Sequence, residues 1–133
     1  LDFSFSGLKT AVRYRIVGPG KQDFRTVNLS PQQVADLAAS FQEAVVDCLV
    51  GKSSQALDRT GYRTLCVGGG VAANVRLRQR LEEEAERRGT RLFLAPLHLA
   101  TDNAVMGAIA LERLKAGLVE PLDIEVQPGP LRA

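Results

Sequence analysis

The sequence is poor in the residues that build metal centres and disulfide frameworks, and it has no long apolar run. Its 133 residues include two cysteines and one histidine. Cys48 and Cys66 both lie inside apolar runs, so we expect buried free thiols in a reducing compartment rather than a disulfide. No stretch of about 18 apolar residues occurs, which predicts that nothing spans a membrane. No signal-peptide pattern is present either.

The sequence also lacks a large excess of charge of either sign. A net charge of +2 is too small to indicate nucleic-acid binding by itself. Arginines cluster between Arg76 and Arg91, but glutamates lie among them, which favours a solvated helix face joined by salt bridges. With 45% hydrophobic and 24% charged residues, the chain has the composition of one soluble domain over residues 1–133. Because it begins with Leu and opens on a strand-like pattern, we expect a piece of a longer protein.

Apolar periodicity predicts a strand at the start of the chain and then two helices. Residues 1–7 (LDFSFSG) alternate apolar and polar side chains, as a half-buried strand does. The next segment has helical spacing and stops at residues 18–20 (GPG). A second helix begins at Ser30, which forms a capping box with Gln33, and we expect it to end near Gly61. Its apolar positions, three and four residues apart, are Val34, Leu37, Ala38, Phe41, Val45, Cys48 and Leu49.

Strands and helices alternate in the second half. Residues 63–69 (RTLCVGG) predict a short buried strand, and a helix follows from about Asn74 to Arg88. Residues 91–96 (RLFLAP) predict another strand, and a last helix starts near Thr101–Asp102 and ends at Gly117. Residues 118–133 are predicted to form an extended tail. The inward-facing positions of the last helix would be Ala104, Val105, Ala108, Ile109 and Leu111. This order indicates an α/β fold with a short, mainly parallel sheet flanked by helices.

Three consecutive glycines, Gly68, Gly69 and Gly70, join a predicted strand to a predicted helix. Ordered glycine costs about 0.5–1 kcal/mol relative to alanine, so a run of three indicates that side chains would obstruct something. Such a turn lets the backbone approach a phosphate or nucleotide at a helix N-terminus. It is not a Walker loop, because no Gly-Lys-Ser/Thr follows, and it is not the GxGxxG fingerprint, because Ala73 stands where a glycine is needed. A tight turn without ligand is the alternative, and Asn74 either caps the helix or contacts a nucleotide.

The second strand-to-helix turn has three residues that can cap a helix, Thr101, Asp102 and Asn103. One helix start does not need three, so a spare carboxylate there could reach a cation. Both turns follow the carboxyl ends of predicted strands, where open α/β sheets bind ligands. A transition metal usually takes three or more protein ligands. We therefore expect His98 to be a surface or lining residue, and any other ligands that join Asp102 to come from outside this chain.

Three motifs, in this order, resemble the TsaD family: FSFSGLKTAV (3–12), VGGGVAANVRLR (67–78) and ATDNAVMGAIA (100–110). Its members are the tRNA adenosine threonylcarbamoyltransferases, formerly described as O-sialoglycoprotein endopeptidases or glycoproteases. The resemblance covers essentially the whole chain and corresponds to the C-terminal part of such a protein. It implies the two-domain actin-like ATPase fold shared by sugar kinases, Hsp70 and actin.

The resemblance also implies a reaction. The threonylcarbamoyl group would move from its adenylate, made by a separate enzyme, to the amino group of a tRNA adenine next to the anticodon. Asn74 would contact the nucleotide-type substrate beside Gly68, Gly69 and Gly70, and Asp102 would be a metal ligand. A divalent metal, iron or zinc, would polarise the intermediate. The family's two metal-binding histidines belong to an HxxxH motif in an N-terminal half that lies outside this sequence.

The resemblance also has implications for the first motif and for binding partners. The segment from Ser4 to Thr10 would lie near the cleft, with no chemical step assigned to it. The implied partners are tRNA and accessory threonylcarbamoyladenosine-pathway proteins in the cytoplasm, with no membrane.

Two alternative functions remain. An actin-like module that binds a nucleotide or partner without chemistry is one alternative, and a metallopeptidase is another, although the sequence has no HExxH. Because the half that carries the two histidines and the earlier substrate-binding loops lies outside this sequence, we expect this chain alone to be inactive. Because sheet edges and apolar faces would be left uncovered, we expect it to self-associate by dimerisation or strand exchange.

Overall fold

The computed structural model describes residues 3–20, 23–25, 27–121 and 123. Four α-helices and two β-strands are found in these ranges, with two short 3-10 turns. The elements are α1 (Ser6–Val17), α2 (Pro31–Thr60), β1 (Thr64–Val67), a 3-10 turn (Gly70–Ala73), α3 (Val75–Arg88), β2 (Arg91–Leu94), a 3-10 turn (Leu97–Leu99) and α4 (Met106–Lys115). In this part of the chain, no helix combines the length and apolar character needed to cross a bilayer.

The long helix α2 begins and ends where its sequence signals place it. The Ser30 hydroxyl accepts a hydrogen bond from the Gln33 amide, and the Gln33 side chain accepts one from the Ser30 amide. Pro31 occupies the first turn, where its missing N–H leaves no hydrogen bond unmade. Gly61 ends the helix in the left-handed conformation, with φ of 70°. The predicted capping box and terminator are both confirmed.

The two strands form a parallel sheet, which confirms the predicted α/β class. Thr64, Leu65, Cys66 and Val67 pair in register with Arg91, Leu92, Phe93 and Leu94. The connection between them runs through α3, as a parallel crossover requires. Because the strands run in the same direction, both of their carboxyl ends lie at one edge of the sheet. The glycine turn and the turn that carries Asp102 therefore start side by side.

The core is small and lies on one face of this sheet. Val46 and Val50 of α2 form a buried cluster with Leu77 and Leu81 of α3. Partly buried residues of both strands and of α2 pack against the cluster: Leu49, Leu65, Val67, Leu92 and Leu94. The opposite face of the sheet is uncovered in the described part of the chain, and Phe93 there is 54% exposed. Within the described ranges, the helices therefore cover one face of the sheet.

The predicted inward face of α2 is partly wrong. Val45, Cys48 and Leu49 are half-buried, but the buried residues are Val46 and Val50, one position further along. The physical reason is that α2 is apolar on a wide arc, and α3 with the sheet covers only one stripe of it. Further residues of the predicted face, Val34 and Phe41, are 52% and 42% exposed.

The start of the chain does not contain the predicted strand. Residues 1 and 2 lie outside the described part, residues 3–5 have no regular structure, and Ser6 already belongs to α1. The serines that alternate with the aromatic residues bond locally, since the Ser4 and Ser6 hydroxyls are 3.2 Å apart. A strand needs a neighbour for its backbone hydrogen bonds, and none is present for this segment among the described residues.

The last helix also differs from the prediction. It begins at Met106 rather than near Thr101–Asp102, and its apolar side chains are exposed instead of inward-facing. Ile109 is 67% exposed and Leu111 is 50% exposed, because no element of the described chain packs closely on α4. Of the tail predicted to be extended, only residues 118–121 and 123 are described, without helix or strand; the rest lies outside the described residues.

The prediction that both cysteines are free thiols is confirmed, but the prediction that both are buried is wrong for Cys66. Cys48 and Cys66 are both free thiols. Cys48 is half-buried, but Cys66 is exposed, because its side chain points to the uncovered face of the sheet. The strand alternation that buries Leu65 and Val67 places Cys66 on the other side.

Candidate functional site at the carboxyl ends of the strands

The glycine turn lies open at the edge of the sheet. Gly68, Gly69 and Gly70 are all exposed, so nothing in the described chain closes over them. Only Gly69 has a conformation that requires glycine, with φ of 89° and ψ of 169°. At Gly70 an added Cβ would meet no atom within 4 Å, and at Gly68 it would make an ordinary 3.8 Å contact with the Ala95 side chain. The protein's own packing therefore does not explain two of the three glycines.

Asn74 caps α3, which is one of the two roles that the sequence predicts for it, the other being a contact with a nucleotide. Its Oδ1 accepts a hydrogen bond from the Leu77 amide at 2.9 Å, and its Nδ2 donates to Gln42 Oε1 at 3.0 Å. An amide side chain has two N–H groups and two oxygen lone pairs, so one donor and one acceptor position stay available. The capping role thus leaves room for a ligand contact.

Ion pairs fix the start of α3 against α2. Arg76 makes two hydrogen bonds of 2.8 Å to the Glu43 carboxylate, and Arg80 approaches the same carboxylate at 2.5 Å. The hydrogen bond from Arg76, with the charges of both arginines, lowers the pKa of Glu43, while the same carboxylate raises the pKa of Arg76. These pairs, with the Asp47 contact to Arg80 at 3.0 Å, hold Asn74 at a defined place relative to the sheet.

The arginine cluster is thus more than a solvated face. Arg87 bonds Glu84 along the helix surface, as predicted, but Arg76, Arg80 and Arg88 reach across to acidic residues of α2. Glu84 also accepts a 2.6 Å hydrogen bond from the Ser54 hydroxyl, which is the largest cause of its lowered pKa. Much of the cluster's charge is therefore used to join two helices.

The second turn leaves one carboxylate unused. Asn103 makes the local hydrogen bonds, accepting from the Val105 amide and donating to the Leu99 and Thr101 carbonyl oxygens. Asp102 is exposed, and the described residues give it no hydrogen bond or ion pair. His98 lies exposed in the 3-10 turn, as expected. The prediction of a spare carboxylate fits this arrangement.

Arg78 is the residue that the sequence reasoning missed. Its Nε donates to the Ala72 carbonyl oxygen and its Nη2 donates to the Ala95 carbonyl oxygen, both at 2.5 Å. A signal for it exists, because side chains in a helix lean towards the N-terminus. A long side chain in the first turn of α3 therefore points at the strand ends.

Sequence comparison with known proteins shows the family of this chain. A sequence profile described as "TsaD: tRNA N6-adenosine threonylcarbamoyltransferase" matches residues 1–109. The chain belongs to this family. The family has the actin-like ATPase fold, which agrees with the short parallel sheet flanked by helices.

Relatives that carry the name tRNA N6-adenosine threonylcarbamoyltransferase extend the match over nearly the whole chain. The protein of Rhodopirellula baltica is 53% identical over 96% of this chain and 38% of its own length. That of Thermotoga neapolitana is 45% identical over 96% of this chain and 36% of its own length. That of Bordetella avium is 50% identical over 89% of this chain and 33% of its own length. The chain thus spans about a third of the relatives it matches.

Proposed function

We propose that this chain is the C-terminal part of a tRNA threonylcarbamoyladenosine-forming transferase. The family membership and the relatives' names support this proposal. The observation that carries it in the structure is the open glycine turn, where Gly68 and Gly70 have no packing or backbone reason to be glycine. Because the chain spans about a third of its relatives, it supplies part of a site and is inactive alone. The complete protein acts in the cytoplasm on tRNA, together with accessory proteins of the same pathway.

The reaction proposed for the complete enzyme is acyl transfer. The amino group of a tRNA adenine, next to the anticodon, forms a bond to the carbamoyl carbon of threonylcarbamoyl-AMP. The bond from that carbon to the phosphate oxygen breaks, AMP leaves, and the amino group loses one proton. In this chain, Gly68, Gly69 and Gly70 let the adenylate approach the backbone, and Asn74 offers it the free donor and acceptor of its amide. The N-terminus of α3 favours the phosphate charge through its dipole.

The described residues of this chain do not hold a metal by themselves. Within the described ranges, no group of three histidine, cysteine or acidic side chains could bind one. A single exposed carboxylate is too few for iron or zinc. We propose that Asp102 supplies one ligand of a divalent metal, iron or zinc, and that the others come from parts of the enzyme outside this chain. When bound, such a metal would supply Lewis-acid polarisation of the substrate's oxygen.

A serine at position 74 separates the capping role of Asn74 from its proposed ligand contact. Serine caps a helix about as well as asparagine, so we expect Asn74→Ser to leave the free energy of unfolding nearly unchanged. Because the amide is lost, the Kd of the complete enzyme for AMP should rise about tenfold, which corresponds to about 1.4 kcal/mol. Asn74→Ala should raise that Kd too, and also cost about 0.5–2 kcal/mol of stability. Calorimetric titration with AMP and urea unfolding measure the two effects.

The matched control for this test is Gln42→Ala. It removes the Asn74–Gln42 hydrogen bond but keeps the Asn74 amide, so AMP binding should be close to wild type. If Asn74→Ser binds AMP as well as the wild type, Asn74 is a cap and nothing more. If the complete enzyme binds AMP but forms no threonylcarbamoyladenosine from the adenylate and tRNA, the proposed transferase activity is wrong and the module without chemistry is favoured.

We also propose that the isolated chain self-associates through the uncovered face of its sheet. Phe93 and Cys66 are exposed there, both strands have an open edge in the described chain, and the match covers only 33–38% of the relatives' own length. In the complete enzyme the remaining chain covers this face; in the isolated chain a second copy does. Sedimentation equilibrium should show a monomer–dimer equilibrium, which Phe93→Ser weakens and Val75→Ser, on the surface of α3, does not. If the chain is a monomer at all concentrations up to about 1 mM, this proposal is wrong. At that concentration even a dimer with a binding free energy of only about 4 kcal/mol would be detected.

A further inference from the structure

One guanidinium links the two turns of the candidate site. Arg78 donates to Ala72, in the turn that follows β1, and to Ala95, the first residue after β2. The two acceptors belong to turns that are 23 residues apart in the sequence. A planar guanidinium can hold two carbonyl oxygens at once in a fixed geometry, whereas an ammonium group is a point charge without that geometry.

The position of this link matters because the sheet ends just before it. The last backbone hydrogen bond between the strands runs from the Ala95 amide to the Val67 carbonyl oxygen at 2.9 Å. Past that point, no backbone bond joins the two turns in the part of the chain that the structure describes. Each turn has its own anchor, Ala72 and Ala100, which are 2% and 1% exposed. The polar contact between the turns is made by Arg78.

We propose that Arg78 is a positioning residue that holds the glycine turn and the Asp102 turn in one arrangement. Loss of either hydrogen bond would let the turns move independently, and the adenylate cleft would no longer be formed as a unit. The coupling of the turns is a statement about this chain alone. Its consequence for the adenylate rests on the function proposed above, so the two parts need separate measurements.

Hydrogen exchange on this chain tests the coupling. The reporters are amides that bond within each turn: Ala72 and Asn74 in the first, Leu99 and Ala100 in the second. In Arg78→Met, which keeps an apolar stem without donors, both sets should exchange about tenfold faster, while the strand amides keep their protection. Arg87→Met is the matched control, since Arg87 bonds Glu84 at the far end of the same helix and should change neither set. Faster exchange in one turn only, or in none, would overturn the proposal.

Binding of AMP to the complete enzyme tests the consequence. We expect Arg78→Met to raise the Kd about tenfold at a temperature where circular dichroism shows it folded. Arg78→Lys keeps the charge but not the bridge, so it should not restore binding; full restoration would mean that Arg78 acts through its charge, which overturns the positioning role. An unchanged Kd in Arg78→Met would overturn it too. If the wild-type enzyme does not bind AMP, the proposed function is what fails, and the exchange result still decides whether Arg78 couples the turns.

Discussion

Leu81→Ala should leave a large fraction of the molecules unfolded at temperatures where the wild type is folded. Leu81 is 3% exposed and packs with Val46, Val50 and Leu77 between α2, α3 and the sheet. Truncating a buried leucine costs about 2–5 kcal/mol, because the lost transfer free energy adds to the cost of the cavity. Domains are stable by only about 5–15 kcal/mol, and the described part of this chain has a small core. Urea unfolding followed by circular dichroism measures the loss.

Val75→Ala is the matched control for this substitution. It also shortens an apolar side chain in α3, but Val75 is 63% exposed, so the free energy of unfolding should change by no more than about 0.5 kcal/mol. The comparison removes helix propensity as an explanation, since alanine is the better helix former in both cases. A loss below about 1 kcal/mol in Leu81→Ala would mean that the α2–α3 cluster is not the centre of stability.

The elements that the sequence predicted best are those specified by local chemistry. A capping box at Ser30 and a left-handed glycine at Gly61 define the ends of α2 without reference to other elements. Asn74 and Gly89 do the same for α3. The predictions that are wrong depend on contacts with other elements: α4 is apolar at helical spacing, yet its apolar residues are exposed, and residues 3–5 alternate as a strand does but form none. Periodicity tells which residues share a face, but not whether anything covers that face.

The candidate site also has a part that the sequence predicts and a part that it does not. The glycine turn, the cap and the carboxylate each follow from a short motif, and the parallel sheet brings their turns to one edge as predicted. The lean of helical side chains indicates that Arg78 points at the strand ends, but its motif does not show which carbonyl oxygens it reaches, because one of them is 17 residues away in the sequence. Among the six clustered arginines, the hydrogen bonds of the folded chain show that Arg78 reaches both turns.

Gly69→Val should remove the glycine turn and AMP binding with it. At φ of 89° and ψ of 169°, Gly69 lies in a region that is essentially restricted to glycine, and holding another residue there costs about 1–3 kcal/mol. A β-branched side chain is among the least tolerated at positive φ. We therefore expect the turn to adopt another conformation, the melting temperature of this chain to fall, and AMP binding to the complete enzyme to become undetectable in calorimetric titration.

Gly70→Ala separates strain in the turn from space for the ligand. Gly70 has no positive φ, and a Cβ there would meet no atom within 4 Å, so this chain should keep its melting temperature. If the adenylate approaches the backbone as proposed, the added methyl group would still weaken AMP binding to the complete enzyme. Weaker AMP binding in both variants, with loss of stability in Gly69→Val only, is the pattern that a ligand-facing turn requires. Wild-type affinity in Gly69→Val would instead show that the glycines serve the turn alone and that the adenylate binds elsewhere.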